Sequence, residues 1–379
     1  MVACNSECIE TESVADKSTH SVSIEQAIRN ANTFLNSPEN KMQTSSYYRK
    51  VNNVIVIKSQ NNDETRAGVE TSDVLYAINY SDDNGFILAS ADDRLPSILA
   101  YIEDGVYNEK DIQDNPGINM FIKKLIYKYE HNDSSLFSAK NNTTRANYVN
   151  EYIHPKMLTK WGYSYPFSLY MSSTYTGSIA PALAQICAYY SKPDSISFVF
   201  TNDSIFFDWG GIMQDSQQSG YTTISSSTYY NPIAKLYKIL SSDIAMESKY
   251  LSSFVPSKMA SLGFETEVMM SYDSHKSLIK NALVNSRLIY IRGSESFEDM
   301  YDMFSPGIGW AIDGYWKYEG STYYHCNWGR YGAMNGFYLD NVFDCSNPHE
   351  LDVPGTAASP GDYYPQYDLY FTTIGYNNN

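Results

Sequence analysis

The stretch TGSIAPALAQICAYY, from Thr176 to Tyr190, decides the fold of this chain. Its apolar residues recur at helical spacing and predict a buried α-helix: Ile179, Ala182, Leu183 and Ile186. Thr176 and Gly177 lead into this helix, so Ser178 stands at its N-terminal end. The helix dipole favours negative charge at that end, where a nucleophile for acyl transfer can be held. Ser178 is therefore the first candidate for a functional side chain.

The length and charge of the chain limit its class. Its 379 residues suit two domains, each able to bury a core of its own. A formal net charge of -16 argues against binding to nucleic acid or to an anionic membrane surface, because both need clustered Lys and Arg. No run of 18 apolar residues occurs, so the sequence predicts no transmembrane segment.

The cysteines follow neither a zinc-binding spacing nor a dense disulfide framework: Cys4, Cys8, Cys187, Cys326 and Cys345. Cys187 falls on an apolar helical pattern and Cys326 in a strand-like run, so both are predicted to be buried and inert thiols. The histidines form no cluster with the spacing of metal ligands. The sequence therefore predicts neither a metal nor a cofactor.

The first 20 residues are polar and are predicted to form a disordered leader. Within them, Val2-Ala3-Cys4 resembles the end of a bacterial lipoprotein signal, in which the cysteine is lipidated after cleavage. On this interpretation Cys4 is a lipidation site and the protein is anchored at the cell surface. The alternative is a chance cysteine in a disordered terminus, and the sequence carries no apolar signal core before Cys4.

Residues 21–131 are predicted to form a small α+β domain. A helix begins with Ser23 as N-cap and Gln26 as its capping-box partner. Short β-branched or aromatic runs predict strands, with a hairpin turn at 81–85 and a later helix: Val54–Ile57, Val74–Asn79, Gly85–Ser90 and helix Ile118–Tyr129. Residues 132–156 are rich in Asn, Ser and Thr, which predicts an exposed linker before a second domain at 157–379.

Both halves resemble one known family. The run NGFILASADDRLPSILAY, from Asn84 to Tyr101, is similar to the propeptide of the streptopain family of bacterial secreted cysteine peptidases and to free-standing inhibitors related to it. The second half resembles the peptidase itself through ordered motifs: LTKWGYSYPFSLY (158–170), TGSIAPALAQICAYYSKP (176–193), FDWGGI (207–212), GWAIDGYW (309–316) and YYHCNWGRYGAMNGFYLD (323–340). The resemblance covers most of residues 20–375.

This resemblance implies an α+β chain, with a papain-like cysteine peptidase fold preceded by a small α+β propeptide-like domain. The left part of the papain-like body would be helical around residues 178–190 and 232–262. The right part would be a sheet with these strands: Leu288–Arg292, Trp310–Tyr315, Tyr323–Trp328, Phe337–Leu339 and Tyr367–Ile374.

The resemblance also assigns the catalytic positions, and several hold unexpected residues. Ser178 stands at the nucleophile position, Ile308 at the histidine position and Tyr163 at the position of the glutamine that donates to the oxyanion. Asn327 and Trp328, which flank the histidine in the family, are present and would be vestigial, and the tryptophan expected at 330 is arginine. Because a serine needs an adjacent base and a hydrocarbon cannot accept a proton, these residues predict an inactive site.

Two alternative hypotheses about the site stay open. A deliberate exchange of cysteine for serine would account for Ser178 but not for Ile308 and Tyr163. A rewired serine hydrolase would use His325 or His154 as its base. The remaining histidines lie in polar contexts and are predicted to be solvated: His20, His131, His275 and His349.

The leading functional hypothesis is a secreted or surface-anchored pseudopeptidase that retains its propeptide-like domain. Such a protein would bind a peptide or a partner protein in the cleft, hold a peptidase in check, or keep its own N-terminal domain as the occupant. The alternatives are a cysteine-type endopeptidase zymogen altered in this copy at Ser178, and a structural surface lipoprotein.

Overall fold

The computed structural model describes residues 20–37, 49–59, 72–137, 150–171, 177–198, 203–241, 251–293, 308–344 and 369–376. Residues 1–19 of the predicted leader, with Cys4 and Cys8, lie outside these residues, as do Thr176, Cys345 and His349. We call residues 20–137 the N-terminal unit and residues 150–376 the body.

The first helix, α1 (Ile24–Leu35), begins where the sequence predicts. Ser23 is its N-cap, and the Ser23 hydroxyl accepts a hydrogen bond from the Gln26 N–H at 3.2 Å. The reciprocal half of the capping box is wrong, because the Gln26 side chain bonds to Asn30 and Arg29 instead. The helix buries Ala27, Ala31 and Phe34 on its inner face.

Four antiparallel strands follow in the N-terminal unit: β1 (Val51–Lys58), β2 (Asp73–Tyr80), β3 (Phe86–Ser90) and β4 (Ile98–Ile102). They contain the predicted runs except for Gly85, which precedes β3. A short 3-10 turn, Ser81–Asp83, closes the predicted hairpin between β2 and β3. Gly85 lies at φ +80, and a Cβ there would sit 2.1 Å from the Ile102 carbonyl oxygen. The turn therefore needs glycine at this position.

Two helices follow the strands of the N-terminal unit and pack against each other. Helix α2 (Glu109–Asp114) was not predicted, and α3 (Pro116–Glu130) begins two residues earlier than expected. Asn115 separates them and caps α3, because its side-chain oxygen accepts a hydrogen bond from the Gly117 N–H at 3.1 Å. Pro116 at the first helical position suits a site where no donor is needed.

The segment predicted as linker carries ordered elements at both ends. Helix α4 (Ser134–Phe137) extends the N-terminal unit, and strand β5 (Glu151–Ile153) pairs with the body. Lys280 forms an ion pair with Glu151 that ties β5 to the body. These elements belong to the folded protein, which corrects the prediction at residues 134–137 and 151–153.

The body contains the predicted helical and sheet parts. Its helices are α5 (Ile179–Tyr190), α6 (Trp209–Gln217), α7 (Ser227–Ser241), α8 (Leu251–Ser261), α9 (Tyr272–His275), α10 (Ser277–Val284) and α11 (Asp340–Phe343). Its remaining strands are β6 (Ser195–Phe198), β7 (Asp203–Phe206), β8 (Glu265–Thr266), β9 (Met270–Ser271), β10 (Leu288–Gly293), β11 (Ile308–Tyr318), β12 (Ser321–Asn327), β13 (Gly336–Leu339) and β14 (Tyr370–Gly375). The predicted strand start at Tyr367 lies outside the described residues.

Helix α5 lies against α7 on one side and β11 on the other. All residues from Ile179 to Ala188 are buried, because every side chain among them except Gln185 is apolar. This burial fixes the N-terminal end of α5 relative to the first residues of β11.

One sheet runs through both halves of the protein. Among the described residues it has twelve strands, with the main order β1-β2-β3-β4-β13-β12-β11-β10-β14-β8. The junction is the antiparallel pair β4 and β13, where Tyr101 faces Phe337. Strands β6 and β7 form a separate hairpin. The two predicted domains therefore share backbone hydrogen bonds, a feature that the sequence did not indicate.

No helix in the described part of the chain is long and apolar enough to cross a membrane.

Candidate functional site

Ser178 is the N-cap of α5, and Gly177 precedes it at φ +71. The Ser178 side chain makes no capping bond to its own helix. Its hydroxyl oxygen instead accepts a hydrogen bond from the Gly309 N–H at 2.9 Å. The structure thus brings the predicted nucleophile position into direct contact with the start of β11.

Ile308 is the first residue of β11 and is half-buried beside Ser178. The close approach depends on Gly309, because a Cβ there would lie 2.6 Å from the Tyr290 hydroxyl oxygen and 3.1 Å from Ile179 Cγ1. The predicted nucleophile and histidine positions therefore meet, as papain-like chemistry would require. The group facing Ser178 at 308 is a hydrocarbon, which neither donates nor accepts a proton.

Tyr163 and Arg330 contact each other across the cleft. The Arg330 guanidinium lies 4.8 Å from the centroid of the Tyr163 ring, in cation–π geometry. Arg330 Nη1 also donates a hydrogen bond at 2.9 Å to the carbonyl oxygen of Asp114 in the N-terminal unit. Burial lowers the pKa of Arg330 from its usual value, while nearby Tyr163 and Asp114 oppose the shift.

Trp328 lines the cleft, but Asn327 does not. Trp328 Nε1 donates to the Met334 carbonyl oxygen at 2.9 Å, which fixes the indole. Asn327 is 2% exposed, and its amide donates to the carbonyl oxygen of Thr159 at 3.0 Å. Asn327 therefore serves the connection between β12 and the segment that leads to Trp161.

Gln185 is a residue of this site that sequence reasoning missed. It is fully buried in α5, and its side-chain oxygen accepts hydrogen bonds from the Trp161 N–H at 3.0 Å and from the Asn327 amide at 3.2 Å. A buried polar side chain needs such partners. The sequence signal for Gln185 was a single amide in an otherwise apolar helical run. In the structure this side chain connects the helical part of the body to the sheet part.

A cavity of about 600 Å³ lies where the N-terminal unit meets the body. Its lining combines four consecutive residues of the N-terminal unit with seven of the body: Asp114, Asn115, Pro116, Gly117, Tyr163, Gly177, Ser178, Ile308, Trp328, Gly329 and Arg330. Four of the five predicted site residues thus surround one space, and Asn327 lies behind it.

Two family models match the chain: residues 19–128 match Spi protease inhibitor, and residues 161–338 match the Peptidase C10 family. The segment 161–338 therefore belongs to the streptopain-type C10 family. Streptopain of Streptococcus pyogenes is 23% identical over 341 residues, which cover 76% of this chain and 78% of that protein. Thiol protease/hemagglutinin PrtT of Porphyromonas gingivalis is 22% identical over 333 residues; these are 76% of this chain but only 36% of PrtT.

The fold agrees with this family. A solved fragment of prointerpain A from Prevotella intermedia, a mutant, aligns with a TM-score of 0.53 at 17% identity. The alignment covers 86% of this chain and all of that fragment. The predicted fold class is confirmed: an α+β C10 peptidase fold preceded by a propeptide-like domain.

Neither candidate imidazole for a rewired site lines the cavity. His325 pairs on β12 with Gly314, five residues along β11 from Gly309, which is about 16 Å at strand spacing. Its Nδ1 lies 2.5 Å from Asp313 Oδ1 in a buried pair. His154 packs edge-on against the Tyr152 ring. This geometry therefore argues against the alternative hypothesis of a rewired serine hydrolase with either histidine as its base.

The remaining histidines of the described ranges also have local partners away from the cavity. His20 contacts Asp93 at 2.9 Å, and His275 Nδ1 lies 3.2 Å from the Ser271 carbonyl oxygen. His131 stacks on the Tyr127 ring at 4.0 Å between centroids. Within the described ranges, no group of three His, Cys, Asp or Glu side chains is placed to hold a metal ion.

The two described cysteines cannot replace the nucleophile. Cys187 lies deep in α5 and Cys326 in β12, and both are fully buried free thiols. Burial raises the pKa of each thiol, so neither forms a thiolate readily. Their predicted burial is confirmed.

Proposed function

We propose that this protein is a catalytically inactive member of the C10 family, whose cleft serves as a protein-binding surface for its own N-terminal unit. One observation carries the proposal: the Ser178 hydroxyl is held by the Gly309 N–H, and the neighbouring side chain that should act as base is Ile308. A serine hydroxyl without a base is a poor nucleophile.

The oxyanion position supports the same conclusion. Tyr163 carries no amide, and its ring is engaged with the Arg330 guanidinium. Loss of one oxyanion donor costs about 3 kcal/mol of transition-state stabilisation in related chemistry. Three separate contributions to catalysis are therefore absent at the three positions that the family resemblance assigns.

A zymogen altered only at Ser178 is the weaker alternative. Such a copy would retain a base and an oxyanion donor, whereas Ile308 and Tyr163 stand in their places. Tyr163 and Arg330 also contact each other, which favours a site changed at several positions over one in which oxygen replaces a single sulfur atom.

The N-terminal unit is also poorly placed to inhibit a second peptidase. Residues Asp114–Gly117, which enter the cleft, already line the cavity of their own body. A free-standing inhibitor would need this segment exposed. We therefore favour the protein's own N-terminal unit as the occupant of the cleft.

Reversion of the catalytic positions tests the proposal. The parent, Ser178→Cys, and Ser178→Cys combined with Ile308→His are compared on casein and on a fluorogenic peptide. The parent and the single variant should remain at background. Peptide hydrolysis by either at ordinary peptidase rates would contradict the proposal.

A second measurement follows the reactivity of a thiol at position 178 and does not require a cleft open to a peptide. Iodoacetamide is small enough for a 600 Å³ cavity, and it reacts with thiolates. The thiol introduced by Ser178→Cys should lose reactivity as the pH falls through its own pKa, because Ile308 supplies no imidazole to pair with the thiolate. Adding Ile308→His should extend its reactivity to lower pH. Equal pH profiles would show that another group already acts as the base.

We further propose that the protein is secreted or anchored at the bacterial cell surface, through lipidation of Cys4. The support is the sequence Val-Ala-Cys at residues 2–4 and the resemblance to a secreted family. Labelling of cells with a radioactive fatty acid tests this. Cys4→Ser should abolish incorporation, whereas the neighbouring Cys8→Ser should not, and incorporation that survives Cys4→Ser would contradict the proposal.

A further inference from the structure

The N-terminal unit enters the cleft through the short segment Asp114–Gly117, which we call the cleft plug. It joins α2 to α3, and Asn115 holds its shape by capping α3. The Asn115 amide also donates to the Ala333 carbonyl oxygen of the body at 3.3 Å. The plug is therefore a preformed helix start and loses little conformational entropy on docking.

Gly117 is the point of closest approach between the plug and the body. A Cβ at this position would lie 2.1 Å from Trp328 Cε3. The indole cannot swing aside freely, because Trp328 Nε1 is bonded to the Met334 carbonyl oxygen at 2.9 Å and lies 3.2 Å from the Tyr338 hydroxyl oxygen. Any side chain at 117 would therefore force the plug out of its position.

Arg330 holds the other end of the plug. Its guanidinium bonds to the carbonyl oxygen of Asp114, the last residue of α2, where a helix leaves its final carbonyl groups without intrahelical donors. Tyr163 supports the guanidinium from one side at 4.8 Å. A cation that remains charged at all working pH values thus bridges the two units.

We propose that Trp328, Arg330 and Tyr163 form a selective receptor for the plug, which accepts only glycine at 117 and keeps the N-terminal unit as a permanent part of the protein. This inference rests on the proposed function, since a body that performs no chemistry gains nothing from release of its plug. Two of the receptor residues, Tyr163 and Arg330, stand where the family resemblance places catalytic-cleft residues of other kinds.

The strength with which the receptor holds the plug can be measured by cutting the chain and following dissociation of the two units. A specific protease site is inserted between residues 137 and 150 of the full chain, the chain is cut, and the fragments are followed by gel filtration across a dilution series. The parent fragments should elute together at every concentration. Gly117→Ala and Arg330→Met should each make the fragments separate within the dilution series, at a concentration about tenfold or more above the lowest at which the parent fragments still elute together.

Matched controls isolate the plug. Gly210 occupies the second position of α6, as Gly117 does in α3, but a Cβ there would meet only Asp208 Oδ1 at 3.6 Å. Gly210→Ala and the exposed Arg29→Met should leave dissociation unchanged. Because alanine is a better helix former than glycine, weakening by Gly117→Ala must come from the contact with Trp328.

Hydrogen exchange on the uncut chain provides a second test if a cut variant fails to fold. Faster exchange confined to residues 114–117 in Gly117→Ala and Arg330→Met supports the receptor. Dissociation and exchange equal to those of the controls would overturn it. Peptide hydrolysis is measured on the same samples. Hydrolysis with the plug retained contradicts the proposed inactivity and leaves the receptor standing. Release of the parent fragments without hydrolysis contradicts the receptor and the proposed occupant of the cleft, and leaves the inactivity standing.

Discussion

Phe34 of the N-terminal unit packs against Trp316 of the body, with ring centroids 4.4 Å apart and the planes tilted by 32°. Phe34 also meets Tyr318 edge-on at 4.9 Å. All three rings belong to one cluster of buried residues that includes side chains from both units. The two units therefore share a core as well as a sheet, and they should unfold together.

Phe34→Ala tests this shared core. Removing a fully buried phenylalanine should lower the free energy of unfolding by about 3–5 kcal/mol, with one transition retained. The control is Phe206→Ala, because Phe206 is 74% exposed and its loss should cost less than about 0.5 kcal/mol. Urea unfolding followed by fluorescence and by circular dichroism gives both values. Two separated transitions in the parent would show independent units.

The purified protein should remain full length. On the proposed function the protein cannot cut itself, so no fragment should accumulate during long incubation in a protease-free preparation. Ser178→Ala is the control and should behave like the parent. Cleavage between residues 132 and 156 that speeds up with protein concentration, and that disappears in Ser178→Ala, would mean that the site is active.

The buried pair of His325 and Asp313 should make stability depend on pH. Burial lowers the pKa of His325, but the attraction and hydrogen bond of Asp313 outweigh it, so that its pKa is raised overall. Because the folded pKa exceeds the unfolded value of about 6.5, this contribution is complete below that pH and is lost as pH rises through the folded pKa. Asp313→Asn should flatten the dependence and destabilise the protein by about 3–5 kcal/mol.

Urea unfolding at several pH values between 5.5 and 9 measures this effect. His20 and Asp93 provide a matched exposed pair at 2.9 Å, and Asp93→Asn should change little. A pH dependence of the same size in the parent and in Asp313→Asn would show that other groups control it.

The thiols of Cys187 and Cys326 should resist alkylation in the native protein. Both are fully buried, and burial raises the pKa of each. Mass spectrometry of peptides after iodoacetamide treatment should find them modified only in denaturant. Ser178→Cys supplies a positive control, because position 178 lines the cavity. Native labelling of Cys187 at the rate of that introduced thiol would contradict the described packing of α5.

Local patterns predicted much of the fold. The apolar period of α5 and the strand run that begins at Gly309 predicted these two elements. The resemblance to the streptopain family implied that Ser178 and Ile308 lie together. Gln185 and Asp313 were missed because their partners are 142 and 12 residues away, across separate elements. Such pairs depend on the register of elements, which periodicity does not report.

The plug was missed for a related reason. Asn115-Pro116-Gly117 is a clear helix start in the sequence, but only its contact with Trp328 gives Gly117 a role. Likewise, the pairing of β4 with β13 joins two units that composition separates at the linker. Short-range sequence patterns predict the helices and strands. The docking of one unit on the other depends on contacts between residues far apart in the sequence, which these patterns do not predict.

The junction between β4 and β13 also bears on solubility. Gly336 lets the two strands come together, since a Cβ there would lie 2.2 Å from the Tyr101 carbonyl oxygen. Without the N-terminal unit, β13 would become a bare edge that offers unpaired N–H and C=O groups to any neighbouring chain. A body expressed alone should therefore self-associate through Gly336–Tyr338. By pairing with this edge, the N-terminal unit protects the protein against aggregation.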